Sequence, residues 1–179
     1  MKKIIITLLF LFGAYMSHAQ YENTKIKVGE KAPELEFSNP NGETLQLSKI
    51  YKHRVILLDF WASWCGPCRH ANPRVVELYN QYKDEKFKNA KKGFTIVSVS
   101  LDKNKDAWSK AIAKDSLSWP YHMSDLGGWQ SKTAEEYGVQ YIPQSFLIDE
   151  HGTVIGKYND IGEIEPDLKK LLKESHTRD

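Results

Sequence analysis

Two cysteines separated by two residues are the groups with the clearest chemistry in this chain. Cys65 and Cys68 are the only cysteines among the 179 residues, and Gly66 and Pro67 lie between them. A disulfide across so short a loop adds little to stability, because stabilisation by a cross-link grows with the length of the loop that it closes. We therefore interpret the pair as a redox-active dithiol that alternates with a disulfide.

Metal and haem sites are the other common uses of a close cysteine pair. A zinc site needs four ligands, and neither a second close cysteine pair nor a spaced histidine pair follows. Attachment of c-type haem needs a histidine directly after the second cysteine, where this chain has Arg69. We therefore predict no resident metal and no cofactor besides the disulfide itself. One alternative stays open, a metallochaperone that holds Cu(I) or zinc with the dithiol and His70, although a solvated histidine is the simpler interpretation of His70.

The dithiol is predicted to lie where a strand meets a helix. Upstream, the apolar run Val55–Trp61 is typical of a central strand that is buried on both faces. Downstream, Pro67 suits the first turn of a helix, and apolar side chains then recur at helical spacing. Cys65 would lie at the N-terminus of that helix, where unpaired backbone N–H groups and the helix dipole favour its thiolate.

Each cysteine has a predicted role in catalysis. Cys65 would attack a substrate disulfide and form a mixed disulfide, and the shielded Cys68 would then attack Cys65 and release the reduced substrate. Asp59 interrupts the apolar strand. An acid in such a run favours a raised pKa and a role in proton transfer over a strand acid that reaches solvent. Cys65, Cys68 and Asp59 are therefore the predicted catalytic residues.

The first residues have the order of a secretory signal peptide. Lys2 and Lys3 precede an apolar run over residues 4–16, and Ser17 and Ala19 supply small residues before a cleavage site. The run is shorter than the roughly 20 residues that a membrane-spanning helix needs, which makes an uncleaved anchor the less favoured alternative. We predict a signal peptide at 1–19 and a soluble domain at 20–179, exported to the periplasm, where disulfide chemistry is available.

Length and charge exclude several function classes. A chain of 179 residues has room for one domain. It has 25 Lys and Arg against 23 Asp and Glu, so loss of Lys2 and Lys3 with the signal peptide leaves the two signs balanced. A neutral chain lacks the basic surface that nucleic acid or an anionic membrane requires. We therefore predict no nucleic-acid partner. No second apolar stretch approaches the length of a membrane span, so we also predict no membrane-spanning segment after cleavage.

Around the cysteines the sequence resembles the thioredoxin superfamily, in the stretch LLDFWASWCGPC. A second stretch, VQYIPQSFLID at 139–149, is similar to the segment of that family that carries a cis-proline. The resemblance implies that Pro143 is cis and faces the dithiol, and that the Ile142 backbone pairs with the substrate chain. It also implies that Trp64 takes part in substrate binding. In this family the residues between the cysteines, here Gly66 and Pro67, tune the redox potential.

Within that superfamily the chain is most similar to the exported TlpA/ResA-type thioredoxins. A hairpin pattern between residues 35 and 47 and two amphipathic helical patterns at 106–113 and 131–137 carry this likeness. The likeness implies an α/β thioredoxin-like fold. Such a fold has a central mixed β-sheet flanked by helices, here with an extra N-terminal β-hairpin and a helical insertion.

The enlarged middle is also rich in aromatic residues, namely Trp108, Trp119, Tyr121 and Trp129. We interpret these side chains as packing of the insertion rather than as a surface for a partner.

The resulting prediction is a periplasmic thiol-disulfide oxidoreductase that reduces disulfides of exported proteins. Gly66 and Pro67 favour the reducing end of the range of potentials. The spent disulfide would then need electrons from a transmembrane thiol carrier. A disulfide-forming oxidase is the second alternative. Many relatives place a glutamate three residues after the second cysteine, where this chain has Ala71. This departure argues against carrying over their specialised chemistry of cytochrome c maturation, which stays open as a role.

Overall fold

The computed structural model describes residues 23–174, so the predicted signal peptide lies outside the described residues. The strands of this part are β1 (Glu36–Ser38), β2 (Thr44–Gln46), β3 (Val55–Trp61), β4 (Phe94–Ser100), β5 (Tyr121–Met123), β6 (Gln144–Ile148) and β7 (Val154–Tyr158). Its helices are α1 (Leu47–Tyr51), α2 (Gly66–Tyr82), α3 (Lys105–Lys114), α4 (Lys132–Tyr137) and α5 (Glu165–Leu171). Among residues 23–174, no helix has the length and apolar character needed to cross a bilayer.

A mixed sheet in the order β5-β4-β3-β6-β7 is the centre of the fold. Strand β3 runs parallel to β4, and β4 runs parallel to β5, whereas β6 is antiparallel to both β3 and β7. Every residue of β3 and β4 is buried, as predicted for β3. Parallel strands end at the same edge of a sheet, and antiparallel β6 begins there, with Gln144 opposite Phe60. The segments that follow β3, β4 and β5 and the segment that precedes β6 therefore lie at the same edge of the sheet.

The helix after β3 presents one buried face to the sheet. Its buried residues recur every three or four positions and are Cys68, Asn72, Val75, Leu78 and Tyr82. Pro67 lies in its first turn, as the sequence predicts, and Pro73 lies inside it. Helix α2 thus starts at the dithiol and runs back across the sheet.

The predicted N-terminal hairpin is present as antiparallel β1 and β2. In its turn the Asn39 side chain accepts hydrogen bonds from the backbone N–H groups of Asn41 and Glu43. Gly42 follows with φ +88°, a conformation that glycine adopts without steric cost. These contacts close the hairpin.

The N-terminal segment, residues 23–38, pairs with the chain at the start of β7 and just after β5, the two edge strands of the sheet. Before the hairpin, Gly29 N–H donates to the Val154 carbonyl at 2.8 Å and Val154 N–H donates to the Glu30 carbonyl at 2.9 Å. At the end of β1, Ser38 forms an antiparallel bridge with Ser124, which directly follows β5. One continuous stretch of chain therefore pairs with β7 at one side of the sheet and beside β5 at the other.

The enlarged middle contains both predicted helices and one strand that was not predicted. Helices α3 and α4 match the two amphipathic patterns, and the short β5 lies between them. Trp108 and Trp119 are buried, in line with packing of the insertion. That interpretation is wrong for Trp129, whose side chain is 51% exposed, because the turn after β5 carries it out of the core.

Candidate active site

Cys65 and Cys68 form a disulfide with their Cα atoms 5.3 Å apart. Cys65 caps the N-terminus of α2, and the Cys68 backbone N–H donates to Cys65 Sγ at 3.1 Å. Cys65 is 5% exposed and Cys68 is 1% exposed. The predicted position of the pair between strand and helix is confirmed. In the reduced protein the same N–H group and the helix N-terminus would stabilise a thiolate at Cys65.

A buried carboxylate holds the turn that leads into Cys65. The Ser63 backbone N–H donates to Asp102 Oδ2 at 2.9 Å, and the Ser63 hydroxyl donates to the other carboxylate oxygen. Ser100 Oγ donates to Asp102 Oδ2 at 2.7 Å. Asp102 is 1% exposed and lies just after β4. It was not predicted, although an acid at the end of an apolar strand is the same kind of signal that identified Asp59.

An ion pair holds the same turn from its other side. Arg69 Nη1 donates to the Ser63 carbonyl at 3.0 Å, and the Arg69 guanidinium also pairs with the Asp115 carboxylate through two of its nitrogens. Asn72 Nδ2 donates to Asp115 Oδ2 at 2.6 Å. Burial opposes the charge on Asp115, yet the hydrogen bonds from Arg69 and Asn72 hold the pKa of Asp115 below its ordinary value. Sequence reasoning used Arg69 only to exclude haem and missed this role.

Asp59 lies inside β3 with Ser145 of β6 opposite to it. Ser145 Oγ donates to Asp59 Oδ1 at 2.9 Å. Burial raises the pKa of Asp59 to about 6, although the Ser145 hydrogen bond favours the charged form. The direction of this pKa change agrees with the prediction from the sequence.

A cavity of about 220 Å³ joins the carboxyl of Asp59 to the dithiol. Asp59 and Cys68 both line it, as do Asn72 and Pro143. Trp61 also lines this cavity, and its indole N–H is buried and has no acceptor within residues 23–174. Buried donors of this kind are commonly satisfied by ordered water, and the cavity has room for it.

The predicted cis-proline segment faces the dithiol. The peptide bond between Ile142 and Pro143 is cis, as the resemblance implies. The Ile142 carbonyl oxygen is 3.8 Å from Cys65 Sγ. The structure thus brings both residues to the cysteine pair, and their roles in substrate binding stay predictions.

Trp64 lies on the opposite flank of the cysteine pair. Its side chain is 52% exposed, and its indole N–H donates to the Leu101 carbonyl at 3.2 Å. Gly66 and Pro67 are exposed at the start of α2. All of the predicted catalytic, substrate-binding and redox-tuning residues therefore meet at one edge of the sheet.

His70 is exposed on α2, as expected of a solvated histidine. In the stretch 23–174, no three His, Cys, Asp or Glu side chains are grouped so that they could hold a metal ion.

Comparison with known proteins agrees with this geometry. The family described as Redoxin matches residues 27–172, a range that contains both cysteines and every described strand. The thiol-disulfide oxidoreductase ResA of Bacillus cereus is 34% identical over a match of 156 residues, which covers 84% of this chain and 83% of that protein.

Solved structures extend the likeness to the fold. A thiol-disulfide oxidoreductase from Bacteroides fragilis superposes with a TM-score of 0.70 at 33% identity, over 80% of this chain and 100% of that one. The thioredoxin domain of a thiol-disulfide oxidoreductase from Bacteroides vulgatus gives a TM-score of 0.69 at 26% identity, over 83% and 99% of the two chains. The predicted thioredoxin-like fold is confirmed.

Proposed function

The chain belongs to the Redoxin family as a ResA-like thiol-disulfide oxidoreductase, and from this premise we propose that it reduces disulfides of exported proteins in the periplasm. The observation that carries the reducing direction is the buried Asp59 on the cavity that Cys68 lines. A strong oxidant such as DsbA has a stabilised reduced form. A buried carboxylate beside the dithiol acts in the opposite sense, because its charge disfavours a thiolate nearby.

The reaction begins at Cys65. Its thiolate attacks one sulfur of the substrate disulfide, so that a bond forms between Cys65 Sγ and that sulfur while the substrate S–S bond breaks. The other substrate sulfur leaves as a thiolate and takes a proton from solvent. The hydrogen bond from the Cys68 N–H to Cys65 Sγ supports this step, because it favours the nucleophilic form of Cys65.

Cys68 completes the reaction. Its thiol loses a proton and its sulfur attacks Cys65 Sγ, which breaks the mixed disulfide and forms the Cys65–Cys68 bond. The second substrate sulfur leaves and is protonated. The substrate has then gained two electrons from the two cysteines. It has also gained two protons, one taken from solvent in the first step and one that balances the proton lost by Cys68 in the second.

Asp59 is the proton acceptor of the second step. With a pKa of about 6, its carboxyl is mostly ionised at neutral pH and can accept the proton of Cys68. The cavity that both residues line supports transfer through water, with the Trp61 indole N–H as a further donor to that water.

The oxidised protein must be reduced again before it can act. In an oxidising compartment the electrons have to come across the membrane, so the proposed donor is a transmembrane thiol carrier. Besides its own disulfide, the proposed enzyme uses no cofactor and no metal. Location in the periplasm rests on the signal-like sequence at 1–19.

The reduction potential of the Cys65–Cys68 pair tests the direction. The purified protein is equilibrated with graded mixtures of reduced and oxidised thiol, and its free thiols are counted. A reduction potential of about −270 mV, as in thioredoxin, is expected for a reductant. A reduction potential of about −120 mV, as in DsbA, would contradict the reducing direction and support the oxidase alternative.

A further inference from the structure

A second pocket opens beside the dithiol, and its walls are mostly apolar. Its volume is about 560 Å³, and its lining includes Trp64, Leu101, Ala107 and Trp129. The indoles of Trp64 and Trp129 are 52% and 51% exposed, with their ring centroids 6.0 Å apart. Two large aromatic side chains that are half exposed and adjacent form a surface typical of a binding site.

The strand order places this pocket at the catalytic edge of the sheet. Trp64 follows β3, Leu101 follows β4, and the turn that carries Trp129 follows β5. Since β4 and β5 lie on one side of β3 and β6 lies on the other, the pocket and Pro143 flank the dithiol from opposite sides. A substrate chain that passes Ile142 and reaches Cys65 therefore continues toward the two indoles.

The pocket walls are held in place without a ligand. The Trp64 indole N–H is bonded to the Leu101 carbonyl. Asp125 accepts hydrogen bonds from the backbone N–H groups of Gly127 and Lys132, on either side of Trp129. Such preorganisation lowers the entropy that a ligand would otherwise lose on binding.

The charges of the lining indicate which segment fits. Asp102 also lines the pocket, but it is buried, and its carboxylate oxygens accept hydrogen bonds from Ser63 and Ser100, so this carboxylate is not part of the exposed rim. Lys103 is exposed at the rim. The pocket therefore suits an apolar side chain that is flanked by neutral or acidic residues.

We propose that this pocket, between Trp64 and Trp129, binds an aromatic or large aliphatic side chain of the substrate polypeptide next to the cysteine that Cys65 attacks. This inference rests on the proposed function and deepens it. The apolar contact holds the substrate sulfur near Cys65, and so raises kcat/KM for polypeptides relative to small disulfides.

Two matched peptides test the inference. Each is joined by a disulfide to glutathione, and the two differ only in having Phe or Ser next to the cysteine. The purified reduced protein is expected to reduce the Phe peptide with a kcat/KM about tenfold above that for the Ser peptide. In Trp129→Ala this ratio should fall below about twofold, with Trp129→Phe in between, because most of the apolar wall is lost.

Two controls separate the pocket from the chemistry. Leu126→Ala changes an exposed apolar residue of the same loop that does not line the pocket, and should keep the peptide preference. Reduction of oxidised glutathione, which has no apolar side chain, should be within about twofold of wild type in Trp129→Ala. An unchanged peptide preference in Trp129→Ala, or an equal loss in Leu126→Ala, would overturn the inference.

A binding measurement distinguishes failure of the pocket from failure of the proposed function. A fluorescent Phe peptide whose cysteine is replaced by serine is titrated with the oxidised protein. Binding that is lost in Trp129→Ala and kept in Leu126→Ala supports the pocket, even if no peptide is reduced. Equal binding of the peptide to wild type and to Trp129→Ala rules the pocket out. A dimer in solution that dissociates in Trp129→Ala would also overturn the inference, because a second copy of the chain would then occupy the pocket.

Discussion

Cys65 and Cys68 are three residues apart, yet they differ in their surroundings. Cys65 Sγ accepts a hydrogen bond from the Cys68 backbone N–H and lies near the Ile142 carbonyl. Cys68, in contrast, is buried and lines the same cavity as Asp59. The first environment favours attack on a substrate, and the second favours the resolving step.

Serine in place of each cysteine should give different products. Cys65→Ser should abolish reduction of a peptide disulfide, because the nucleophile is lost. Cys68→Ser should still attack and should then accumulate a mixed disulfide with the peptide, because the resolving thiol is lost. Mass spectrometry of the intact protein under non-reducing conditions detects the adduct. Full activity of Cys65→Ser would show that the assigned roles are wrong.

Asp59→Asn should slow the resolving step by about one hundredfold, a typical loss for a general base. In the wild type, that step should become faster as pH rises through about 6, because the carboxylate is the active form. The variant should lack this part of the pH profile. Stopped-flow measurement of the decay of the mixed disulfide at pH 5 to 8 gives the rate of the resolving step. Identical pH profiles in both proteins would show that Asp59 has only a structural role.

The same substitution should stabilise the fold at neutral pH. The pKa of Asp59 rises from 3.8 to about 6 on folding, so the native state binds the proton more tightly than the unfolded state. Stability of the wild type therefore falls as pH rises from about 4 to about 6, and the cost is complete above that range, at about 3 kcal/mol. Asp59→Asn removes this cost. Urea unfolding at pH 7 should show the gain, and at pH 3 the two proteins should differ little.

At the scale of elements, the turn between β3 and α2 depends on partners from distant parts of the chain. Asp102 holds Ser63 from 39 residues away, and Asp115 holds Arg69 from 46 residues away. The turn is thereby fixed to the end of β4 and to the end of α3. Cys65 follows this turn directly, so its position depends on both contacts.

Asp102→Ala should destabilise the fold by about 2 kcal/mol, because the Ser63 N–H and the Ser100 hydroxyl would lose their acceptor in a buried place. It should also slow the attack by Cys65, since the turn before it would loosen. Asp106→Ala, in the exposed first turn of α3, is the matched control and should change neither quantity. Urea unfolding and single-turnover reduction measure the two effects. Wild-type values in Asp102→Ala would contradict this account.

Local signals were sufficient to predict β3, the dithiol, the start of α2, the hairpin and both helices of the insertion. Strand β5 was missed because it has only three residues and no alternating pattern of its own. Asp102 and Asp115 were not assigned to the site because their contacts depend on tertiary structure. Trp129 was misjudged for a similar reason, since its exposure follows from the path of the turn after β5.

At the scale of the whole molecule, Asn23 joins the N-terminal segment to the rest of the fold. It is buried, and its Nδ2 donates to the Tyr137 carbonyl at 2.8 Å and to Gln144 Oε1 at 3.0 Å. Its Oδ1 accepts from the backbone N–H groups of Lys25 and Ile26. The side chain therefore connects the segment to α4 and to the start of β6.

Asn23→Ala should lower the free energy of unfolding by about 2 kcal/mol, because it leaves several buried polar groups unpaired. Hydrogen exchange should also become faster in residues 29–32, where the segment pairs with β7. Asn41→Ala, in the exposed hairpin turn, serves as the control and should stay near wild type. Equal protection of residues 29–32 in both variants would show that Asn23 does not anchor the segment.

The pairing of the N-terminal segment with residues beside both edge strands also affects when the chain can fold during its synthesis. Ribosomes make the N-terminal segment first, but its partners Ser124 and Val154 are made about a hundred residues later. Long-range pairings of this kind form slowly, and only after the late residues have been synthesised. A nascent chain of this protein therefore stays incompletely folded until near the end of translation. This state is compatible with the proposed export, because only an unfolded polypeptide can be threaded through a narrow translocation channel.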